Sequence, residues 1–190
     1  MHRYWLLTWT TYGSRLPGDA RGFVSTIRTP DGRRVRHNTP GTTMDADVPA
    51  LRWSARSLLV EPPILLTTSQ AAAVSREFHT TAEIRGWDLP ASAVMGNHVH
   101  VVVGLPSDDP ALATRAAGTF KAYASRTLNA RWRRRKRWWT QNGSTRVLVR
   151  EEAVLAAVRY VSRQRRCLAL VIAPAWAELL GPLTRTDDSC

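Results

Sequence analysis

The chain has 190 residues, 44% of them hydrophobic, with a formal net charge of +12 and a sequence pI of about 11.2. This length suits one compact domain with a sizeable core, and the hydrophobic share is ordinary for a globular protein. The excess of arginine and lysine opposes compaction by self-repulsion. It therefore indicates a polyanionic partner, with nucleic acid as the first candidate and an anionic membrane surface as the second.

Features of targeting and redox chemistry are sparse. No apolar run approaches the roughly 20 residues of a membrane-spanning helix, and residues 1–7 are not followed by the small-residue cleavage site of a signal peptide. Cys167 and Cys190 form neither a disulfide framework nor a Cys-x-x-Cys motif. These features predict a cytoplasmic protein that does not enter a membrane.

The chain begins with a predicted strand over residues 3–11, whose apolar side chains on both faces indicate an interior strand. Residues 13–56 are rich in glycine, proline, arginine, aspartate and threonine. They predict a long irregular insertion, with a turn at 39–41 and a short hairpin around Asp31 and Gly32.

Apolar periodicity and capping residues predict the remaining elements. In chain order they are a helix over 69–85 capped by Ser69 and ended by Gly86, a strand over 87–94, a turn at 96–97, a strand over 98–105, a helix from Asp108 or Asp109 to about Trp132, a short strand over 145–149, and a helix over 151–166. Residues 168–180 are apolar and predict a last packing element, and residues 184–190 predict a frayed end.

The order of these elements predicts an α+β fold, an antiparallel sheet with helices on one face. No long internal repeat interrupts this order. We expect a single domain over 1–166, with 13–56 as an insertion after the first strand. Residues 167–190 would form a C-terminal packing segment and tail.

The most informative segment is Met95-Gly96-Asn97-His98-Val99-His100-Val101-Val102-Val103. Successive side chains of a strand point to opposite faces, so His98 and His100 share one face. Two imidazoles placed in this way can bind one cation, although two polar residues on a solvated strand face fit the pair equally well. The apolar flanks favour the cation because buried neutral imidazoles need partners.

A second segment combines positive charge with aromatic rings. Residues 131–139 read Arg-Trp-Arg-Arg-Arg-Lys-Arg-Trp-Trp, and we call them the basic tryptophan segment. This composition favours phosphate contacts with aromatic platforms for unpaired bases, whereas a solvated basic loop is the plainer alternative. The candidate DNA contacts are Arg133, Arg134, Arg135, Lys136 and Arg137.

Two tyrosines are candidate nucleophiles, Tyr123 and Tyr160. At about 100° per residue, Tyr123 falls on the apolar stripe of its helix with Phe120, which favours a core position. Tyr160 lies off the stripe of the last long helix, four residues from Gln164, so these two side chains are neighbours on another face. The arginines that border this face are Arg159, Arg163 and Arg166. The first two are candidate DNA contacts, although a surface tyrosine on a basic helix is the alternative.

Together these residues resemble a known family. His98-Val99-His100 on a strand, followed by Tyr160-Val161-Ser162-Arg163-Gln164 on a late helix, is similar to the single-tyrosine HUH transposases, which include IS200-like and REP-associated tyrosine transposases. Two further segments are similar to segments of its longer members, namely Tyr4-Trp5-Leu6-Leu7-Thr8-Trp9 and Trp138-Trp139-Thr140-Gln141-Asn142-Gly143-Ser144. The resemblance covers roughly residues 3–165. Gly96 stands where the family usually has a proline, and the long insertion departs from the compact members.

The resemblance implies a ferredoxin-like or RRM-like antiparallel sheet and an enzyme that cleaves and rejoins DNA. Tyr160 would be the nucleophile that forms a 5′-phosphotyrosine, with Tyr123 as the alternative. His98, His100 and Gln164 would bind one Mg²⁺ or Mn²⁺ and leave coordination positions for phosphate oxygens and water. The partner would be single-stranded or hairpin DNA, and the sequence leaves open whether the protein forms a homodimer.

Two other classes of protein stay open. A two-histidine phosphoesterase needs paired His-x-Thr motifs. His37-Asn38-Thr39 and His79-Thr80-Thr81 match this motif in residue type, but neither is predicted to lie on a strand. A non-catalytic RRM-like binding module, or an inactive relative of the transposases, explains the charge and the tryptophans. It does not explain the histidine pair and Gln164 together. Metal-dependent cleavage of single-stranded DNA would distinguish these classes.

Overall fold

A computed structural model of the chain describes residues 3–20, 25–28, 31–37 and 48–181. Its elements in chain order are β1 (Arg3–Thr10), β2 (Ser25–Arg28), β3 (Arg34–His37), α1 (Pro49–Ser57), α2 (Thr68–Arg85), β4 (Asp88–Met95), β5 (His98–Leu105), α3 (Pro110–Arg131), β6 (Ser144–Leu148), α4 (Glu151–Ser162), β7 (Cys167–Ile172) and α5 (Pro174–Leu180). The chain divides into two compact units, Tyr12–Ile64 and the rest. No helix in the described part of the chain is long and apolar enough to span a membrane.

The larger unit is built on a five-stranded antiparallel sheet in the order β6-β1-β5-β4-β7. Without β7, the elements β1-α2-β4-β5-α3-β6 have the ferredoxin-like order β6-β1-β5-β4. The predicted α+β fold with an antiparallel sheet is therefore confirmed. The last apolar packing element of the sequence proves to be β7 followed by α5, and β7 extends the sheet beside β4.

The two faces of this sheet bury different helices. Trp9 of β1 packs edge-on against Phe78 of α2, which packs in turn on Phe120 of α3, so α2 and α3 cover one face. On the other face, the apolar side of α4 forms one buried cluster with sheet residues that include Val102. The expectation of helices on one face holds for α2 and α3 and is corrected for α4. Because Val102 and His100 are two residues apart on β5, α4 covers the histidine face.

Local signals account for the helix starts. Thr67, rather than Ser69, caps α2: its hydroxyl accepts a hydrogen bond from the backbone N–H of Gln70, and the Gln70 side chain accepts one from the backbone N–H of Thr67. This reciprocal capping box satisfies two donors that the first helical turn leaves unpaired. Asp109 caps α3 with its carboxylate, as one of the two predicted residues.

The smaller unit contains a hairpin and a helix. β2 and β3 pair antiparallel on either side of Asp31 and Gly32, which confirms the predicted hairpin. The prediction of irregular chain is wrong over α1, where Pro49 in the first turn and good helix formers after it start a helix. The turn predicted at 39–41 and the frayed end predicted over 184–190 lie outside the described residues.

Candidate active site

Strand β5 carries the histidine pair on the face that α4 covers. The ring centroids of His98 and His100 lie 5.0 Å apart, with their planes at 85°. Across the ladder to β1, Thr10 faces His98 and Thr8 faces His100. Because β5 is paired on both sides, its backbone is fixed, and the two rings are held on a rigid element.

A neighbouring oxygen contacts Nδ1 of each ring. Asn97 Oδ1 lies 2.6 Å from His98 Nδ1, and Thr8 Oγ1 lies 2.7 Å from His100 Nδ1. Such contacts orient an imidazole and occupy Nδ1, which leaves Nε2 as the nitrogen that a cation could contact. Thr8 is not among the residues predicted from sequence. The alternation along β1, which places Thr8 and Thr10 on the face opposite to Trp5, Leu7 and Trp9, is the signal that could have identified it.

The buried imidazole of His100 is neutral at physiological pH. Only 6% of this residue is exposed. Burial, and to a lesser extent the nearby charge of His98, lowers the pKa of His100 to about 4. Neutral imidazole is the form that binds metal ions, so this environment suits a ligand.

Tyr160 of α4 reaches the histidine pair. Its hydroxyl oxygen lies 3.4 Å from Nε2 of His100, and the two ring centroids are 5.2 Å apart. The residue is 49% exposed, so a substrate can approach the hydroxyl from solvent. The helix is anchored by its other face, where Val154, Val158 and Val161 are buried. Tyr160 therefore lies off the apolar stripe, as the helical spacing predicts.

The alternative tyrosine lies elsewhere. Tyr123 is on α3, which packs on the opposite face of the sheet, and the guanidinium of Arg126 lies 4.9 Å from its ring centroid. The expectation of a core position needs correction, because Tyr123 is only half-buried while Phe120 and Ala124 occupy the core positions. Since the sheet separates Tyr123 from the histidines, the structure brings Tyr160 and not Tyr123 to the pair.

Gln164 lies beyond the end of α4, which stops at Ser162 instead of continuing to about Arg166. The chain turns there, with Arg166 in the left-handed region at φ 56°, and enters β7 at Cys167. Nε2 of Gln164 donates to the backbone carbonyl of Tyr160 at 3.1 Å. The two residues are therefore linked through the backbone, not as neighbouring side chains on one helix face.

Two tryptophans of the basic tryptophan segment are structural. Trp138 is 3% exposed and Trp139 is 8% exposed. The indole N–H of Trp138 donates to Oδ1 of Asn129, and that of Trp139 donates to the carbonyl of Lys121. The prediction that these rings are open platforms for bases is wrong, because packing against α3 buries them.

The cationic side chains of the same segment face solvent to different degrees. Those that are exposed are Arg131, Arg133, Arg134, Lys136 and Arg137, while Arg135 is half-buried. After the segment, the backbone N–H of Thr140 donates to the carbonyl of Thr10, and the two threonine hydroxyls lie 3.2 Å apart. Because Thr10 faces His98, the segment joins the sheet beside the histidine pair. Arg159 and Arg163 are exposed close to Tyr160 in sequence.

The turn before β6 packs closely against β1. A Cβ atom on Gly143 would lie 2.6 Å from the carbonyl oxygen of Thr8, so the backbones approach to a distance that only glycine permits. Nζ of Lys121 donates to three successive carbonyl oxygens of this turn, those of Thr140, Gln141 and Asn142. These contacts fix the turn against the strand whose Thr8 orients His100.

We expect Trp138→Ala to lower the free energy of unfolding by about 3–5 kcal/mol, because it leaves a cavity where a large buried ring packed. It also removes the indole donor to Asn129. Urea unfolding followed by circular dichroism measures the change. The matched variant Trp53→Ala, at a residue that is 75% exposed, should change the free energy by less than about 0.5 kcal/mol. Equal, small effects would contradict the structural role of Trp138.

The two-histidine phosphoesterase is not supported by the placement of its motifs. His79 lies on α2, as predicted, so its motif is helical. His37 ends β3, which corrects the expectation that neither motif reaches a strand, and residues 38–39 lie outside the described residues. A pair of His-x-Thr strands is therefore not formed by the described residues.

Fold and site together define a ferredoxin-like domain that presents an exposed tyrosine to two histidines on a central strand. Neither a protein-family model nor a curated protein matches the chain. Solved structures that are similar include a REP-associated tyrosine transposase bound to a REP hairpin, at 12% identity and a TM-score of 0.46 over 84% of this chain and 64% of that one. Another is a protein from Deinococcus radiodurans assigned as a transposase, at 13% identity and a TM-score of 0.45 over 86% of this chain and 92% of that one. The chain thus spans less than two thirds of the first structure.

Proposed function

We propose that this protein is a single-tyrosine HUH transposase, a metal-dependent nuclease that cleaves and rejoins single-stranded DNA. The observation that supports this proposal is the 3.4 Å contact between the Tyr160 hydroxyl and Nε2 of His100, beside His98. A solvent-exposed phenol held against two imidazoles in a strongly basic chain suits attack on a phosphodiester. A plain binding module has no need of this arrangement.

The residues at the site fit a divalent cation. His98 and His100 lie on one face, and each ring is oriented through its Nδ1 atom. No three histidine, cysteine or acidic side chains gather to hold a metal within the described ranges, so the ligand set would be completed by Gln164, phosphate oxygens and water. When bound, Mg²⁺ or Mn²⁺ would polarise the scissile phosphate and offset the charge that develops on it.

In the proposed reaction, the hydroxyl oxygen of Tyr160 attacks phosphorus. A bond forms between this oxygen and the phosphorus, and the bond from phosphorus to the 3′ oxygen breaks. The phenol proton passes to solvent and the departing 3′ oxygen takes up a proton. Because the covalent 5′-phosphotyrosine conserves the energy of the bond, a 3′-hydroxyl can reverse the step and rejoin DNA without ATP. Arg159 and Arg163 would contact neighbouring phosphates.

End-labelled DNA tests this chemistry directly. The protein is incubated with Mn²⁺ and either a single strand or a hairpin, the form of DNA in one of the similar structures, and then run on a denaturing gel. A 3′ label should migrate with the protein, whereas a 5′ label should appear on a released fragment. Binding without an adduct would support the non-catalytic module instead. Sedimentation of the complex would measure whether one copy or two copies bind.

The charge of the basic tryptophan segment should appear in the salt dependence of DNA binding. We expect the double variant Arg133→Gln/Arg134→Gln to lower the slope of log K against log salt by about 1.4, since each lost contact to a single strand contributes about 0.7. Fluorescence anisotropy over a range of salt concentrations measures this slope. Arg76→Gln/Arg85→Gln on α2 removes the same charge at exposed positions and serves as the control. Equal slopes for the two variants would indicate that the segment is a solvated loop that does not contact DNA.

A further inference from the structure

A cleft of about 360 Å³ opens beside Tyr160, between α4 and the part of the sheet formed by β1 and β6. Its lining includes Tyr160, His100 and Arg146. The first two belong to the site described above, whereas Arg146 has no role in it. The cleft therefore extends the candidate active site towards the edge of the sheet, where β6 is the last strand.

Strand pairing places Arg146 on the same face as the histidines. Leu6 faces Arg146 on β6, and Thr8, two residues along β1 and so on the same face, faces His100 on β5. Arg146 is exposed. No ion pair or side-chain hydrogen bond joins its guanidinium to another residue that the structure describes. The cleft thus carries an available cation that is always charged at physiological pH.

The wall of the cleft opposite the sheet is apolar and carries small side chains. It is formed by three alanines of α4, namely Ala153 and, one turn later, Ala156 and Ala157. Larger side chains at these positions would occupy the cleft. Leu6 and Leu148 contribute further apolar surface, and the lining contains no acidic residue. Apolar walls with a single cation suit a ligand with a planar or apolar body and a negative charge.

We infer that this cleft binds the nucleotide next to the scissile phosphodiester of a single DNA strand. Arg146 contacts the phosphate on the far side of that nucleotide, and the alanine wall receives its sugar and base. This inference rests on the proposed function, since it takes Tyr160 as the point of attack. Arg146 is a positioning residue in this arrangement, because it holds the strand without touching the reacting atoms.

The test combines variants with chemically altered DNA. A hairpin with a short single-stranded extension limits the registers that the strand can adopt, and each phosphate of the extension is replaced in turn by a neutral methylphosphonate. Binding is measured by fluorescence anisotropy without added metal. One replacement should weaken binding to the wild-type protein about tenfold, the size expected for a charge-assisted hydrogen bond. The same replacement should have no effect on Arg146→Gln.

The apolar wall is tested with an abasic nucleotide. Ala156→Leu should fill the cleft without disturbing the core, because Ala156 is exposed. Removing the base next to the Arg146-dependent phosphate should weaken binding to the wild-type protein but not to Ala156→Leu. The matched controls are Arg85→Gln on α2 and Ala122→Leu on α3, both at exposed positions on helices of the opposite face. Both controls should respond to the altered DNA as the wild-type protein does.

Each test pairs a protein variant with an altered DNA: Arg146→Gln with the methylphosphonate, and Ala156→Leu with the abasic nucleotide. If the losses of binding free energy add fully in either pair, the altered groups do not contact each other and the inference is overturned. Adduct formation with Mn²⁺ is scored separately on the same DNA. A protein that shows the coupling but forms no adduct would overturn the proposed nuclease function and retain the nucleotide site. Adduct formation without the coupling would overturn the nucleotide site and retain the proposed nuclease function.

Discussion

Replacing Tyr160 by phenylalanine is expected to eliminate the covalent protein–DNA adduct while leaving the fold and DNA binding intact. Phenylalanine keeps the ring beside His100 but has no oxygen to attack phosphorus. Tyr160 is 49% exposed and its hydroxyl contact is 3.4 Å long. Losing the hydroxyl should therefore change the free energy of unfolding by less than about 0.5 kcal/mol. Denaturing electrophoresis with 3′-labelled single-stranded DNA and Mn²⁺ measures the adduct.

Tyr123→Phe is the matched control, since it removes the same atom from the opposite side of the sheet. Phenylalanine retains a ring face for the Arg126 guanidinium, so the stability should change little. This variant should form the adduct at the wild-type level. A labelled protein band that persists in Tyr160→Phe and vanishes in Tyr123→Phe would overturn the choice of nucleophile.

The histidine strand can be predicted from the sequence because its signal is local. The alternation of side chains along a strand places His98 and His100 together whatever the surrounding fold, and the β-branched neighbours favour the strand itself. The off-stripe position of Tyr160 follows in the same way from the helical repeat. That these two elements meet on one face depends on which face α4 covers. The apolar stripe of α4 does not encode that choice.

The tryptophans show where local signals fail. A loop that contains both arginines and tryptophans has the same sequence pattern whether the rings are exposed or buried. Burial of Trp138 depends on Asn129, nine residues earlier on α3, whose amide oxygen also accepts the backbone N–H of Arg135. Such a contact is set by the tertiary path of the chain, and no periodic pattern in the loop reports it.

Gln164 and Arg146 illustrate the same limit at the site. Helical spacing predicts Gln164 beside Tyr160 on one helix face. The helix ends early, at Ser162, because the chain enters β7 at Cys167 and that strand pairs with β4 in the sheet. Arg146 is distant from His100 in sequence and lies near it only through the pairing of β6 with β1 and of β1 with β5. Strand order is a long-range property, so a residue of this kind is found from the sheet and not from its neighbours in sequence.

His98→Ala and His100→Ala are each expected to reduce metal-dependent adduct formation to background while DNA binding persists. Removing either imidazole deletes a proposed cation ligand, whereas the proposed phosphate contacts that would bind DNA lie elsewhere in the basic chain. Adduct formation at increasing Mn²⁺ concentration and anisotropy with the same DNA measure the two properties. His98 is only half-buried, so His98→Ala should fold normally even if loss of the buried His100 ring lowers stability.

Thr8→Val separates the metal site from simple loss of a side chain. It keeps both imidazoles and the shape of β1, but removes the hydroxyl that lies 2.7 Å from Nδ1 of His100. Partners of this kind typically contribute 10–100-fold to metal affinity or activity, so the Mn²⁺ concentration for half-maximal adduct formation should rise by roughly that factor. The adduct at saturating Mn²⁺ should recover, because both proposed imidazole ligands remain. Two results together would contradict the proposed cation site: a wild-type dependence on Mn²⁺ in Thr8→Val and undiminished cleavage by His98→Ala. The histidine pair would then not bind the cation that is proposed to assist attack by Tyr160.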